Sequence, residues 1–367
     1  MKILVIWKAL VSETYHNRFV ELAKFKDVEL TLIVPTKWHK INLEKKFCSE
    51  YKIIPRRVVL NGSNHFHWYP GLARIIRQVR PDILHIEEEH YSLVTFQAIR
   101  LAKKYNIKCL FVTWQNIYKK YPFPFSRVEQ YNLENADYAI AGSNEVRKVL
   151  VRKGFDNKRI SMVPLGADTM MFHKMESTEL RSKLQLEVFT IGYLGRFVIE
   201  KGIMDLLQAV SLINSDFNLL LVGSGKLRHK IKEKGRRLGL LEKIRIVDSI
   251  SSSQVPYYLN CMDCLVLPSR TTRKWKEQFG RVLTEAMSCE VPVIGSDSGE
   301  IPNVIGDCGL VFKEGDVDDL SSKITLLIDD EELRLELAKK GRHRVLDNFT
   351  QEKAARETYK IYQKMMC

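Results

Sequence analysis

The chain has 367 residues, of which 45% are hydrophobic, and this size and composition indicate a soluble globular protein of two or three domains. No apolar run reaches the roughly 18 residues of a membrane-spanning helix, and the run after Lys2 is too short for a signal peptide, so we expect a cytosolic protein that at most touches a membrane. The chain contains 58 Lys and Arg residues and 44 Asp and Glu residues, a net charge of +14. Most of this surplus lies in residues 1–166, which contain 28 basic and 15 acidic side chains.

Short β-branched runs alternate with longer stretches of helical period, a pattern typical of βαβ units that predicts an α/β fold with parallel sheets. In the first half the predicted strands are Lys2 to Trp7, Val28 to Pro35, Arg57 to Leu60, Asp82 to Glu87, Lys108 to Trp114, Asp137 to Gly142 and Ile160 to Pro164. The predicted helices between them include Asn17 to Lys24, Leu93 to Lys104 and Glu145 to Arg152.

A polar stretch from Thr169 to Glu187 interrupts this alternation, and a second series of strands follows it. The predicted strands of that series are Phe189 to Leu194, Asn218 to Val222, Lys243 to Val247, Asp263 to Pro268, Val291 to Gly295 and Gly309 to Phe312, and the closing helices are Asp318 to Ile328, Glu332 to Leu346 and Gln351 to Met366. We therefore predict two Rossmann-like, doubly wound domains that face a cleft. Their boundaries are 1–166 for the first domain, 167–188 for a linker, 189–349 for the second domain and 350–367 for a final helix.

Two strand-to-helix turns of the second half combine glycine with a cation. A predicted strand ends at Gly195-Arg196, Glu200-Lys201-Gly202 opens the next helix, and Gly223 to Lys226 repeats the arrangement. Glycine allows a close backbone approach, and cations beside a helix start favour a phosphate group. Packing alone also explains glycine at either turn.

A third predicted helix start, at Phe279-Gly280, lies between two acidic side chains, Glu277 and Glu285. Glycine at this place exposes amide groups and the positive end of the helix dipole to a ligand. Glu277 would lie on the approach loop and Glu285 one to two turns into the helix, where a carboxylate can accept hydrogen bonds from the hydroxyl pair of a ribose. A helix-end acid beside a solvated glutamate explains the same pattern.

These motifs, in this order, resemble the retaining GT-B glycosyltransferases of family 4, also called glycosyl transferases group 1. The resemblance rests on Gly195-Arg196 with Glu200-Lys201-Gly202, Leu221 to Gly225, Glu277 to Met287, Val291 to Gly295 and Gly299 to Pro302. Val163 to Asp168 is similar to the phrase that joins the two domains in that family.

The resemblance implies a GT-B fold in which the final helix returns to the first domain and the second domain holds a nucleotide-sugar donor. It implies catalytic roles for Arg196 and Lys201 on the diphosphate and for Glu277 on the hydroxyls of the transferred sugar. Glu285 would bind the ribose, and the remaining donor-binding positions are Gly195, Gly223, Phe279, Gly280 and Gly299. We expect no metal, because two cations can stabilise the leaving diphosphate and no Asp-x-Asp motif stands at a strand end.

The first half departs from the family pattern in two places. The loop from Trp7 to His16 lacks the paired glycines that contact donor phosphates in many relatives. The candidate substitutes are Lys8, Ser12 and Thr14, which are otherwise loop and helix-cap residues. Where many relatives carry a strand-end histidine, this chain has Gln115 and Asn116, and the candidate acceptor or sugar contacts are His90, Gln115 and Asn116.

Seven cysteines with irregular spacing are typical of free thiols in a reducing compartment. Cys261 and Cys264 form the only C-x-x-C, and we interpret both as buried packing residues because a zinc site needs a second ligand pair.

Aromatic and basic side chains alternate from Tyr118 to Arg127, in the half of the chain that carries the charge surplus. Aromatic rings at a headgroup boundary with cations on phosphates would dock this half on an anionic bilayer. Internal packing of the rings and a solvated basic surface explain the same features, and both interpretations remain open.

The sequence thus predicts a metal-independent, retaining glycosyltransferase in the cytoplasm, peripheral on the inner face of the membrane. Its donor would be a UDP- or GDP-sugar, and its acceptor a lipid-linked or envelope polysaccharide precursor. The enzymatic alternatives are a GT-B enzyme with a soluble acceptor, a phosphorylase and a sugar-nucleotide epimerase. A nucleic-acid-binding protein is an alternative from another class that fits the basic charge, although no recognised nucleic-acid motif is present.

Overall fold

The computed structural model describes residues 1–43 and 50–367, which form two compact units. The first unit contains residues 1–166 and 351–367, and the second contains residues 167–350. The segment predicted to be a linker, 167–188, lies within the second unit. There Ala167 forms a β-bridge with Thr350, and the backbone N–H of Met175 donates to Oδ1 of Asn260 at 2.8 Å.

The elements alternate as the sequence predicts. The strands are β1 (Lys2–Ile6), β2 (Glu29–Pro35), β3 (Lys37–Trp38), β4 (Ile41–Asn42), β5 (Lys52–Arg56), β6 (Ile83–Ile86), β7 (Lys108–Thr113), β8 (Tyr138–Ala141), β9 (Ile160–Met162), β10 (Thr190–Leu194), β11 (Asn218–Val222), β12 (Ile244–Val247), β13 (Cys264–Leu267), β14 (Val293–Ser296) and β15 (Leu310–Phe312). The α-helices are α1 (Asn17–Ala23), α2 (Leu72–Val79), α3 (Leu93–Tyr105), α4 (Phe125–Asn135), α5 (Asn144–Arg152), α6 (Thr178–Lys183), α7 (Ile203–Val210), α8 (Arg228–Arg237), α9 (Val255–Leu259), α10 (Arg281–Ser288), α11 (Ile301–Ile305), α12 (Val317–Asp329), α13 (Glu331–Asn348) and α14 (Gln351–Met366). Short 3-10 helices lie at Lys8–Val11, Glu13–Tyr15, Asn157–Arg159, Ile199–Lys201 and Ser252–Gln254.

The first unit is built on a seven-stranded sheet in the order β5-β2-β1-β6-β7-β8-β9, in which every neighbouring pair is parallel. The final helix, α14, packs on this unit: Ile361 and Tyr362 belong to the same buried cluster as Ile3 and Val5 of β1. The strand order reverses between β1 and β6, and ligands of open α/β sheets bind at such a reversal, outside the carboxyl ends of the strands.

The second unit is built on a six-stranded parallel sheet in the order β12-β11-β10-β13-β14-β15. Strands β10, β11, β13 and β14 are almost wholly buried, as expected for central strands that are covered on both faces. The order reverses between β10 and β13, whose neighbouring residues include Gly192 and Leu265. The turns that follow these two strands are therefore the expected ligand-binding position of this unit.

The predicted α/β class of two doubly wound parallel sheets is confirmed, and β11 and α14 have the predicted bounds. The strand predicted at Arg57 to Leu60 is wrong, since the strand is β5, at Lys52–Arg56. Pro55 argued against a strand there, because proline is unusual in a strand interior. It is tolerated on a sheet edge, and β5 is an edge strand of its sheet. The two-residue strands β3 and β4 were not predicted.

Candidate functional site

The turn after β10 carries Arg196 and is held against the turn after β11. The N–H of Gly195 donates to the carbonyl of Val222 at 3.0 Å, and that of Phe197 to the carbonyl of Ser224 at 2.8 Å. Gly223 has a φ of 143°, and a Cβ there would lie closer than 3.0 Å to the carbonyl oxygen of Gly195. Glycine at 223 is thus required for two backbone turns to touch, rather than for a ligand alone.

Lys201 reaches the end of β13 through a second glycine-dependent contact. Gly202, which follows Lys201, is left-handed with a φ of 65°, and a Cβ there would collide with the carbonyl oxygen of Pro268. The backbone N–H of Arg270 donates to the carbonyl of Glu200 at 2.9 Å, which ties the same two turns together. These contacts place the ammonium of Lys201 at the carboxyl end of β13.

Lys201 and Glu277 form an ion pair at this place, with Nζ and Oε2 separated by 2.6 Å. The hydroxyl of Ser269 donates to the same carboxylate oxygen at 2.7 Å. Gly299 abuts the backbone of Glu277, since a Cβ on Gly299 would overlap the carbonyl oxygen of Glu277. The structure therefore brings together three predicted residues, Lys201, Glu277 and Gly299, around a nearly buried carboxylate.

Arg196 lies near the same cluster. Its carbonyl accepts a hydrogen bond from the buried hydroxyl of Tyr193 at 2.7 Å. Burial raises the pKa of that hydroxyl well above its ordinary value, the Glu277 carboxylate raises it further, and the Arg196 guanidinium acts in the opposite direction. Tyr193 thus anchors the backbone of Arg196 in the turn that also leads to Lys201.

Glu285 is the fifth residue of α10, and Glu277 precedes that helix by four positions, as predicted. Gly280 precedes the helix in the left-handed conformation, with a φ of 82°, and has no side chain that could cap the first turn. Burial raises the pKa of Glu285 above its ordinary value, and the Arg281 guanidinium, whose Nε lies 2.9 Å from Oε1, opposes the rise. A buried carboxylate with a perturbed pKa near a helix N-terminus is typical of a functional site.

The side chain of Phe279 is buried and packs edge-on against Phe349, with ring centroids 5.6 Å apart. A donor contact at this position would therefore have to use the backbone. Two further side chains of the site, Ser269 and Trp275, were not predicted from the sequence. The position of Ser269, directly after β13 and Pro268, is a weak indication of a site residue. Nothing in the sequence indicates Trp275, because its indole lies beside Lys201 only once the loop has folded.

The first unit places charged side chains at its own strand-order reversal, where they pair with each other. Lys8, proposed above as a substitute for the missing glycines, forms a salt bridge with the buried carboxylate of Glu88, and its N–H donates to Glu88 Oε1 at 2.9 Å. Ser12 and Thr14 pair their hydroxyl oxygens at 3.5 Å. In this structure the ammonium of Lys8 is therefore paired with Glu88.

Of the three candidate acceptor contacts, His90 is fully buried: Nδ1 lies 3.1 Å from Thr113 Oγ1, and Nε2 lies 3.1 Å from Glu129 Oε1. This arrangement positions the end of β7 and leaves the imidazole inaccessible. Gln115 and Asn116 follow β7 directly, and the Gln115 amide donates to the hydroxyl of Tyr121 at 2.8 Å. Gln115 and Asn116 are largely buried, so a ligand would meet only a small part of either side chain.

Cys261 and Cys264 are both buried free thiols, which confirms their interpretation as packing residues, and burial raises the pKa of Cys261 to about 11. Cys48 lies outside the described residues. Within residues 1–43 and 50–367, no three or more His, Cys, Asp and Glu side chains gather in a way that could hold a metal ion. In the same ranges, no helix combines the length and apolarity needed to cross a bilayer.

Two protein families match this chain in succession. Residues 13–170 match Glycosyltransferase Family 4, and residues 176–344 match Glycosyl transferases group 1. The second match contains Arg196, Lys201, Glu277 and Glu285.

Individual proteins give the same result. The chain is 33% identical over 226 residues to the capsular polysaccharide biosynthesis glycosyltransferase CapM of Staphylococcus aureus, a match that covers 59% of this chain and 58% of CapM. It is 27% identical over 303 residues to the N-acetyl-alpha-D-glucosaminyl L-malate synthase of Bacillus anthracis, covering 79% of this chain and 77% of that protein. The crystal structure of Anabaena HepE in complex with UDP has the same fold, with a TM-score of 0.79 and 16% identity over 99% of this chain and 100% of HepE. The chain therefore belongs to the GT-B glycosyltransferases of family 4.

Proposed function

We propose that this glycosyltransferase holds a nucleotide diphosphate sugar at the β10 and β13 turns and transfers the sugar with retention and without a metal. The observation that carries the proposal is the Lys201–Glu277 ion pair at the strand-order reversal of the second unit, in the turn after β10 that also carries Arg196. Cleavage of the sugar–phosphate bond leaves negative charge on the departing nucleoside diphosphate. Fixed cations that face this charge lower the barrier.

The proposed division of labour follows from the contacts. Arg196 and Lys201 bind the diphosphate, and the N-terminus of α10 adds the positive end of a helix dipole. Glu285 accepts hydrogen bonds from the ribose hydroxyls. With two cations in place, the residues of this turn can neutralise the leaving group without a divalent ion.

Glu277 orients the transferred sugar in this proposal and forms no covalent bond with it. Its Oε2 already accepts one hydrogen bond from a cation and one from a hydroxyl, at 2.6 and 2.7 Å. The bond from the Ser269 hydroxyl does not depend on Lys201, and it stabilises the carboxylate and makes it a weaker nucleophile. Retention would then arise from a front-face reaction, in which the departing phosphate takes the acceptor proton.

UDP and GDP are the leading donor nucleotides, and HepE, which shares the fold, was crystallised with UDP. A thermal-shift panel of UDP, GDP, ADP and their sugars tests this choice, because a ligand that binds the folded state raises its apparent stability. We expect UDP or GDP to raise the midpoint in the presence of EDTA. No shift by any nucleotide would contradict the proposed donor site.

The proposed acceptor is a lipid-linked or envelope polysaccharide precursor, and the basic first unit provides a surface that fits an anionic membrane. Residues 51–81 and 90–128 contain 6 and 7 Lys and Arg residues and no Asp or Glu. Between α2 and α3 these segments form a groove of about 740 Å³, with an apolar floor and with Arg100 and Lys104 among its lining residues. Trp68 stands at this groove with 42% of its surface exposed.

The aromatic segment 118–127 contributes less to this surface than its sequence indicates. Tyr118 packs under the Arg152 guanidinium, with the Cζ atom 4.2 Å from the ring centroid, and Tyr121 packs on Tyr91. Phe123 is the exposed member, at 82%. We therefore expect the groove to contribute most of the binding to anionic vesicles, with a smaller contribution from Phe123, which belongs to the segment 90–128. A high salt concentration should weaken this binding.

A soluble acceptor is the second candidate, because the relative that covers 79% of this chain is by name an N-acetyl-alpha-D-glucosaminyl L-malate synthase. Transfer assays with a radiolabelled UDP- or GDP-sugar separate the two candidates. Product in the organic phase after extraction of a membrane fraction supports a lipid-linked acceptor, whereas product only in the aqueous phase supports a soluble one. Membership of a glycosyltransferase family favours the enzymatic proposal over the nucleic-acid alternative.

A further inference from the structure

Trp275 lies beside the ammonium group of Lys201 in the loop between β13 and α10. The ring centroid of the indole is 5.0 Å from Nζ, on the same ammonium that pairs with Glu277. This distance is within the range of a cation–π interaction, for which tryptophan is the best aromatic partner. Lys201 is thus held by an acid and by an aromatic ring.

The position of the indole is set by its own loop. The N–H of Thr272 donates to the carbonyl of Trp275 at 2.7 Å, and the N–H of Trp275 donates to Oγ1 of Thr272 at 3.0 Å. The N–H of Thr271 donates to Oε2 of Glu314 at 3.0 Å, which fixes the other end of the turn. These bonds hold the backbone of Trp275 without any contribution from Lys201.

We infer that Trp275 is a positioning residue that retains the Lys201 ammonium while its ionic partner changes from Glu277 to the diphosphate of the donor. This inference rests on the proposed function. Without a donor, Lys201 neutralises Glu277. An arriving diphosphate carries more charge than one carboxylate and attracts the ammonium, and Glu277 Oε2 then exchanges that hydrogen bond for one from a sugar hydroxyl, with no net proton transfer.

A ring face suits this role because its attraction for a cation is not tied to one donor–acceptor direction. The ammonium can shift between two acceptors and remain over the indole. A free lysine side chain has many rotamers, and ordering it before binding reduces the entropic cost of capturing the phosphate. The exchange also makes Glu277 available to the sugar only once the phosphate is bound.

The test compares Trp275→Phe, which keeps an aromatic face, with Trp275→Leu, which keeps an apolar side chain without one. Each full-length protein is titrated with UDP and, separately, with GDP by calorimetry. Before this, its thermal unfolding midpoint is compared with that of the original protein to show that the variant is folded. We expect Trp275→Phe to bind the preferred nucleotide within about twofold of the original and Trp275→Leu to bind it about three- to tenfold more weakly. A ring that only fills space would give equal affinities for the two variants.

Fluorescence provides the second readout. The other four tryptophans, at positions 7, 38, 68 and 114, lie in the first unit, so Trp275 is the sole tryptophan of the second. We expect the nucleotide to change the tryptophan emission of the original protein and not that of Trp275→Phe. Equal affinity of all three proteins, with no emission change on binding, would overturn this inference alone. Failure of the original protein to bind either nucleotide would overturn the proposed function and the inference together.

Discussion

Replacement of Gly202 by alanine tests how closely the Lys201–Glu277 pair depends on backbone contact. Gly202 is left-handed, with a φ of 65°, and the added methyl group would collide with the carbonyl oxygen of Pro268. The left-handed conformation costs an alanine about 1–2 kcal/mol, and relief of such a collision typically costs a further ~1–3 kcal/mol. We therefore expect Gly202→Ala to lower the free energy of unfolding by about 2–5 kcal/mol.

Gly239 provides the matched control. It lies in the same unit with a φ of 69°, and a Cβ there would meet no atom within 4 Å. Gly239→Ala should cost only the conformational ~1–2 kcal/mol and should leave donor binding unchanged.

Urea denaturation measures the two losses, and calorimetric titration with the nucleotide measures the function. Because the turn must move to admit the methyl group, Lys201 should separate from Glu277 in Gly202→Ala. A misplacement of about 1 Å can lower the transfer rate about 100-fold. Equal stability losses in the two variants, together with an unchanged donor affinity in Gly202→Ala, would show that the Lys201–Glu277 pair does not depend on this backbone contact.

Three further outcomes follow from the site and the groove. Glu277→Gln should retain slow transfer and form no glycosyl-enzyme adduct by mass spectrometry, since an orienting carboxylate is not a nucleophile; an adduct trapped on the original Glu277 would contradict this. Burial raises the pKa of Glu285, so ionisation costs the folded state stability as the pH rises above the ordinary value of 4.5. Glu285→Gln should therefore be more stable than the original at pH 7 and lose that advantage near pH 4.5. It should also bind the nucleotide more weakly. A difference in unfolding midpoint that does not change with pH would contradict the stability prediction. The double change Arg100→Glu and Lys104→Glu should abolish sedimentation with phosphatidylglycerol vesicles, whereas the same change at Lys230 and Lys232 of α8, in the other unit, should not.

The sequence was sufficient for the features that depend on local pattern. Strands such as β11 are short apolar runs between turns, and Glu277 and Glu285 fall before and within α10 because Gly280 marks where the helix begins. Pro55 misled the same reasoning, because only the sheet order shows that its strand lies on an edge where a missing N–H does no harm.

The partners of the site residues could not be predicted because they come from distant parts of the chain. Lys201 meets Glu277 across 76 positions, and Lys8 meets Glu88 across 80. The first contact completes a predicted site, whereas the second occupies a lysine that was expected to reach a phosphate. His90 shows the same limit, since it was a candidate acceptor contact, yet its imidazole is buried and lies against Thr113 and Glu129.

The central claim is that Arg196 and Lys201 hold the donor diphosphate in place of a metal. Calorimetric titration of UDP and GDP in EDTA, with the original protein, Arg196→Met and Lys201→Met, tests it most directly. We expect at least one nucleotide to bind the original protein and to bind each variant tenfold or more weakly, a loss of about 1.4 kcal/mol or more. Binding that requires a divalent ion, or that is unchanged in both variants, would contradict the claim.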